Sequence, residues 1–156
     1  CAACPVRSNC RALAQGSVLD FPEASRRPAM SEEKRALAVV RRRERVLVVR
    51  VPAQAARWAG MWQFPDVLVE AGEDAQAALA AGVALGTGLR VCVGERLLGV
   101  RHQVTRFKIE IDVYACTAQA GRARPLAYDE VRWCDAEALA RVPMPAAHRR
   151  VARSLG

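Results

Sequence analysis

Apolar positions along the chain fall into short runs with two different periods. The runs RALAVV (35–40) and RVLVVRV (45–51) are apolar and β-branched, and Arg41–Arg42–Arg43–Glu44 separates them. That pattern predicts a β-hairpin, and Pro52 ends its second strand. Over residues 107–113 the alternation is strict. Phe107, Ile109, Ile111 and Val113 share one face, and Lys108, Glu110 and Asp112 the other, which predicts a half-buried antiparallel strand. DAQAALAAGVAL (74–85) is Ala-rich and predicts a helix with Gly82 as its weak point. EVRWCDAEALARV (130–142) reads as a short strand and then a helix capped by Asp135, and AAHRRVARSL (146–155) as a terminal basic helix. Strands, helix, strands, helix is the order of an α+β or mixed α/β domain.

Three stretches differ in texture. Residues 1–16 are compact and Cys-rich, and 17–34 (SVLDFPEASRRPAMSEEK) mix Pro, Ser and charge without periodicity, which marks a linker. The patterned domain covers 35–156. A hydrophobic fraction of 52% in 156 residues supports a real core, and no apolar run approaches the roughly 18 residues of a membrane span. The formal net charge is +8, and among the 24 basic residues only Lys34 and Lys108 are lysines. The planar guanidinium donates in pairs to phosphate, so nucleic-acid binding is the favoured class. The competing reading is compositional bias, with the arginines as solvated surface.

Chemistry concentrates first in CAACPVRSNC. Cys1, Cys4 and Cys10 have the spacing C-x2-C-x5-C, which suits a thiophilic metal, although zinc or a 4Fe–4S cluster needs a fourth ligand. Cys92, Cys116 and Cys134 fall in predicted strands and are expected to pack as small apolar residues. With Pro5 after the second cysteine and RALAQG after the third, this segment resembles the end of the iron–sulfur motif of A/G-specific adenine DNA glycosylases, C-x6-C-x2-C-x5-C. Cys1, Cys4 and Cys10 match its second, third and fourth ligands. The first would fall seven residues before Cys1, so the resemblance implies a C-terminal fragment. A 4Fe–4S cluster is then expected in the intact protein and absent or incomplete here.

The second domain carries the same resemblance. WAGMWQFPDVLVEAGED (58–74) is similar to the segment leading into the Nudix box, G-x5-E-x7-R-E-U-x-E-E-x-G-U, with U aliphatic. Alignment on Glu73 puts Val67 at the first Gly and Ala81–Gly82 at the Arg–Glu pair. Leu85–Gly86 fall at the two metal-binding glutamates, and Gly88–Leu89 match the closing pair. Mg²⁺ requires oxygen ligands that Leu and Gly do not supply, so neither Mg²⁺ nor pyrophosphohydrolase activity is expected. Glu70 and Glu73 read as solvated loop acids, and Trp58, Trp62 and Phe64 as core. The fold implied is a Nudix-like α/β/α sandwich with a mixed sheet.

In the glycosylases such a domain recognises 8-oxoguanine opposite the adenine that the N-terminal domain removes, through an H-x-F-S-H stretch before a strand. Here RHQVTRFKIEI stands in that place: His102 matches the first His, Val104 the Phe, Thr105 the Ser and Arg106 the second His. 8-Oxoguanine bears a carbonyl at C8 and a proton on N7. A hydroxyl donates and accepts, so Thr105 can serve as Ser does; Arg106 keeps donor capacity and adds charge near phosphate. His148 reads as a helix-start or packing residue, and Arg7, Arg149, Arg150 and Arg153 as solvated or phosphate-facing. The resemblance implies a monomeric lesion-recognition module without catalytic residues of its own. It also implies a bacterial cytoplasmic, nucleoid-associated setting. Its partners would be double-stranded DNA with 8-oxoguanine·A mispairs and the N-terminal glycosylase domain, with no membrane. Two alternatives stand beside it: a divergent Nudix hydrolase of oxidised nucleotides, and a protein-interaction module with a zinc site.

Overall fold

The structure, a computed structural model, describes residues 1–21 and 29–155. After short 3-10 turns at Arg7–Asn9 and Val18–Asp20 and one turn of helix α1 (Arg11–Ala14), the chain enters a mixed sheet. Strand β1 (Ser31–Arg42) runs into β2 (Arg45–Arg50). A long loop then leads to two short strands, β3 (Trp62–Gln63) and β4 (Asp66–Leu68). Helix α2 (Ala75–Thr87) precedes the long hairpin of β5 (Arg90–Val104) and β6 (Phe107–Ala120), and β7 (Glu130–Cys134), α3 (Ala136–Arg141) and α4 (Ala146–Ser154) close the fold. The strand order is β3-β2-β1-β6-β5, with β4 also on β1 and β7 also on β2.

Alternation sorts the strands into two packed faces. On one, Leu37, Val39, Val48, Ile109, Ile111 and Val113 meet Leu139 of α3 and Ala147 and Val151 of α4. On the other, Ala36, Ala38, Val40, Leu47 and Tyr114 meet Leu79 and Val83 of α2. The result is the α/β/α sandwich expected. Two of the helices, α2 and α3, start where a carboxylate satisfies free N–H groups. The Asp74 side chain accepts from Gln76 and Ala77 N–H at the head of α2, and Asp135 from Ala138 N–H at the head of α3. Gly88, at φ 69, ends α2 in the left-handed conformation that favours glycine. Among the described residues no helix is long and apolar enough to cross a membrane.

Four expectations meet a different arrangement. Strand β1 begins at Ser31, inside the stretch read as linker, because Ser31–Lys34 pair with Phe107–Glu110; residues 22–28 lie outside the described residues. Strand β6 is antiparallel to β5, as its alternation suggested, but it is also parallel to β1, which places it inside the sheet. Cys116 and Cys134 are buried, with burial pushing the Cys116 thiol up to about 12. Cys92 is exposed instead, because its side chain alternates with buried Val91 on a strand that ends the sheet. Arg149 is not a free cation: its guanidinium donates to Leu139 O at 2.7 Å and to Val142 O, satisfying carbonyls at the end of α3.

Candidate functional site

The region aligned with the Nudix box is built by α2 and the loop before it. Helix α2 contains no acidic residue along its 13 positions. The places where box carboxylates would stand are filled from elsewhere. A Cβ at Gly82 would lie 2.1 Å from Val67 Cγ1, and one at Gly86 would lie 2.8 Å from Tyr128 Cε2. Val67 and Gly82 therefore exchange bulk: a branched side chain on β4 occupies the room that a side chain on α2 would need. Leu85 points into solvent, 77% exposed. Of the two acids that remain, Glu73 is engaged within the loop, its Oε2 accepting from the Glu70 N–H at 3.0 Å. Among the described residues no three His, Cys, Asp or Glu side chains come close enough to hold a metal ion. The donor set does not fit a divalent cation.

A charged network lies on the opposite face of the sheet, where β1 meets β4. Arg35 Nε donates to Asp66 Oδ2 at 2.5 Å, and Gln63 Nε2 donates to Asp66 Oδ1 at 2.8 Å. Burial opposes the charge on Arg35, but Asp66 and then Glu33 hold its pKa above the ordinary value. Behind this pair His148 is 1% exposed, stacked on Phe64 and edge-on to Trp58. Its Nδ1 accepts from the Phe64 N–H at 3.3 Å, so Nδ1 carries no proton. Burial pulls the His148 pKa below its usual value, against the opposing field of Asp66. Arg35, Asp66 and His148 Nδ1 are thus paired within the fold, while Gln63 Oε1 is buried without a partner; His148 serves packing, as expected.

The third feature is the tip of the β5–β6 hairpin. Val104 pairs with Phe107, which leaves Thr105–Arg106 as a two-residue turn. Both are exposed, and Thr105 has φ 50. Glycine is the residue such a turn favours, and a β-branched side chain at positive φ is a strained exception. The turn is held from behind. Arg106 O accepts from Ser31 N–H at 2.9 Å, and the Phe107 ring lies 4.7 Å from the Arg57 guanidinium and 5.3 Å from that of Arg106. Arg57 is fixed in turn by Glu33, to whose two carboxylate oxygens Nη2 donates at 2.9 and 3.0 Å. Of the residues singled out by sequence, Thr105 and Arg106 stand at the tip. His102 is half-buried on β5, and Val104 packs with Phe107 against the core. Pattern reading missed Glu33 and Arg57, which lie far from the turn in sequence; the cation–aromatic pair needs the fold to appear.

The cysteines of the opening segment stand apart from these features. Cys1 and Cys4 are exposed and Cys10 is half-buried among short turns. A 4Fe–4S cluster needs a fourth ligand beside these three thiols.

With this geometry in view, the comparisons with known proteins are consistent. The family model for the NUDIX domain matches residues 35–154. The fold is similar to that of the MutT Nudix hydrolase from Burkholderia pseudomallei, at TM-score 0.72 and 20% identity over 81% of this chain and 99% of that one. MutT protein from Methanosarcina mazei Go1 is similar at TM-score 0.72 and 20% identity, over 80% and 93%. The C-terminal domain of mouse MUTYH, solved in complex with human PCNA, is similar at TM-score 0.60 and 25% identity, over 79% and 86%.

Proposed function

The chain belongs to the NUDIX-domain family, and from that premise we propose that it uses the fold to read a damaged base in DNA rather than to cut a nucleotide. In this reading it is the 8-oxoguanine recognition module of an A/G-specific adenine DNA glycosylase. The observation that carries it is the back-filled box, an acid-free helix whose glycines at 82 and 86 are covered by Val67 and Tyr128. Hydrolysis by the family's metal-assisted route needs several oxygen ligands at that place. Recognition needs only a presented donor and acceptor, and Thr105 offers both from an exposed, braced turn. Arg106 beside it supplies a permanent charge for phosphate. Cys1, Cys4 and Cys10 enter as three ligands of a 4Fe–4S cluster in the intact glycosylase, and base recognition by the turn uses none of them.

The test compares binding of the chain to duplexes containing 8-oxoguanine·A and G·A. A hydroxyl that bonds the altered edge contributes about 1–1.5 kcal/mol, so the lesion duplex should bind roughly tenfold tighter. Thr105→Ala should abolish the preference and leave binding to the G·A duplex unchanged. Equal affinity of the wild-type chain for both duplexes refutes the reading.

A second reading, a divergent hydrolase of oxidised nucleotides, is favoured by the MutT neighbours. Mg²⁺-dependent release of pyrophosphate from an oxidised purine triphosphate by the purified chain, abolished by chelation, would establish it in place of the first.

A further inference from the structure

The β1–β2 hairpin turn lies at the other end of the sheet from Thr105. Strand β1 is 12 residues long and begins beside Phe107, so at about 3.3 Å per residue the two turns stand roughly 36 Å apart. This far end is strongly basic. Arg42, Arg43 and Arg45 are exposed and line a cleft with Glu44 and Trp133. An adjoining cleft is lined by Arg42, Trp133 and exposed Arg122. Arg41 and Arg153 carry the charge onto the other face of the sheet, again beside Glu44. Among the described residues none of these arginines forms an ion pair or a side-chain hydrogen bond, whereas Arg35, Arg50, Arg57, Arg96, Arg101, Arg132 and Arg141 all have carboxylate partners.

Two local penalties distinguish this cluster from an ordinary solvated face. Arg42 pairs directly with Arg45 across the ladder, and like charges placed opposite each other are destabilising. Arg43 has φ 55 at the first position of a two-residue turn, where glycine is favoured. Charge repulsion and backbone strain thus meet at one turn, where Glu44 lies beside the arginines but, among the described residues, forms no ion pair with them. A polyanion would relieve the first and give the second a purpose. Trp133 indicates which polyanion. Its ring is half-buried against the α2-side core while it lines both clefts. Trp62 lies under the Arg132 guanidinium at 4.4 Å, but among the described residues no guanidinium covers Trp133. Arginines around an open indole match the pattern that holds phosphates while an unpaired base stacks.

We propose that Arg42, Arg43, Arg45, Arg122 and Trp133 form a second nucleic-acid site, which binds the phosphodiester backbone of an unpaired strand and stacks a base on the indole. The site requires no lesion and is independent of the recognition turn. The probe is a labelled, undamaged 12-nucleotide single strand, titrated against the 156-residue chain by fluorescence anisotropy at several salt concentrations. Combining Arg42→Gln, Arg43→Gln and Arg45→Gln should weaken binding about a hundredfold near 0.1 M salt. It should also flatten the slope of log K against log salt by about 2, the loss expected for three phosphate contacts on a single strand. Trp133→Leu should weaken binding at least about fivefold with the slope unchanged. Thermal melting checks that the triple variant is folded; relief of repulsion should leave its midpoint equal or higher. Thr105→Ala should have no effect on this undamaged strand, so loss of lesion preference and loss of this site are separable. An unaltered salt slope in the triple variant overturns the proposal. So does no effect of Trp133→Leu, or equal binding of a polyglutamate of the same charge, which would identify an acidic protein surface as the ligand.

Discussion

Exchange of bulk between Val67 and Gly82 makes a prediction in which even the sign is informative. In an ordinary helix interior, Gly→Ala is stabilising by about 1 kcal/mol, because alanine restricts the unfolded backbone and glycine does not. Gly82 lies well inside α2, so propensity alone gives Gly82→Ala that gain. The added Cβ would stand 2.1 Å from Val67 Cγ1 and 3.5 Å from Val67 Cβ. The nearer contact is about 1.5 Å inside ordinary carbon–carbon separation. Val67 cannot rotate away freely, being β-branched and held in β4 opposite Ala36 of β1. Overpacking of this kind costs about 1–3 kcal/mol. The propensity gain is therefore cancelled or reversed, leaving a net destabilisation of about 0–2 kcal/mol and a fall of up to about 8 °C in melting temperature for a domain of this size.

The control is Val67→Ala, which removes the obstructing methyls and alone should cost about 1 kcal/mol. In that background Gly82→Ala should become stabilising, with a coupling energy of about 1–3 kcal/mol between the two positions. Urea denaturation of the four proteins followed by circular dichroism measures the cycle. If Gly82→Ala stabilises the wild-type chain by the full propensity gain, the packing account is wrong, and with it the physical case that the box has been filled rather than emptied.

Two further outcomes follow from the same geometry. Burial holds the His148 pKa below its ordinary value, so on acidification the unfolded chain takes up this proton first. Stability present above about pH 6.5 is then lost as pH falls through the unfolded and on toward the folded pKa, by at most about 1.4 kcal/mol per pH unit. His148→Asn, which keeps an acceptor for the Phe64 N–H, should remove that part of the slope in melting curves between pH 5 and 8; an unchanged slope refutes the assignment. Thr105→Gly should relieve the strain of a β-branched residue at φ 50 and raise stability by about 0.5–1 kcal/mol. The same substitution should abolish any preference for the 8-oxoguanine duplex. A stability loss on Thr105→Gly would show that the turn is not strained.

Periodicity made the elements legible because each has one clear signal. The alternation over 107–113 placed Ile109, Ile111 and Val113 in the core face, and Asp74 and Asp135 marked helix starts that the structure finds within a residue. What alternation does not encode is the identity of a neighbour. The parallel pairing of β6 with β1 is set by strands far apart in sequence, and the exposure of Cys92 depends on β5 lying at the end of the sheet. Spacing against the Nudix box showed that the acids are missing. It could not show that Val67 and Tyr128 stand in their room, because Tyr128 comes from a loop beyond β6 and approaches α2 only in the fold. Arg149 is the converse case: its charge looked available in sequence, and two carbonyls at the end of α3 consume it.

The positive-φ residues other than glycine connect these observations. Arg43, Thr105 and Trp58 are the ones among the described residues. Trp58 packs edge-on against His148 inside the fold, where surrounding contacts can sustain strain. Arg43 and Thr105 have no such cover: each opens a two-residue hairpin turn, exposed to solvent, at opposite ends of the same sheet. Strain that persists where nothing in the fold requires it points to a role outside the fold. The side chains differ as the two roles would demand, a hydroxyl that can both donate and accept at one end and a permanent charge among like charges at the other. Helix α2 contains no acidic residue, yet the sheet it covers presents both turns. On the two proposals made above, its two hairpin tips are the separate points at which nucleic acid is met.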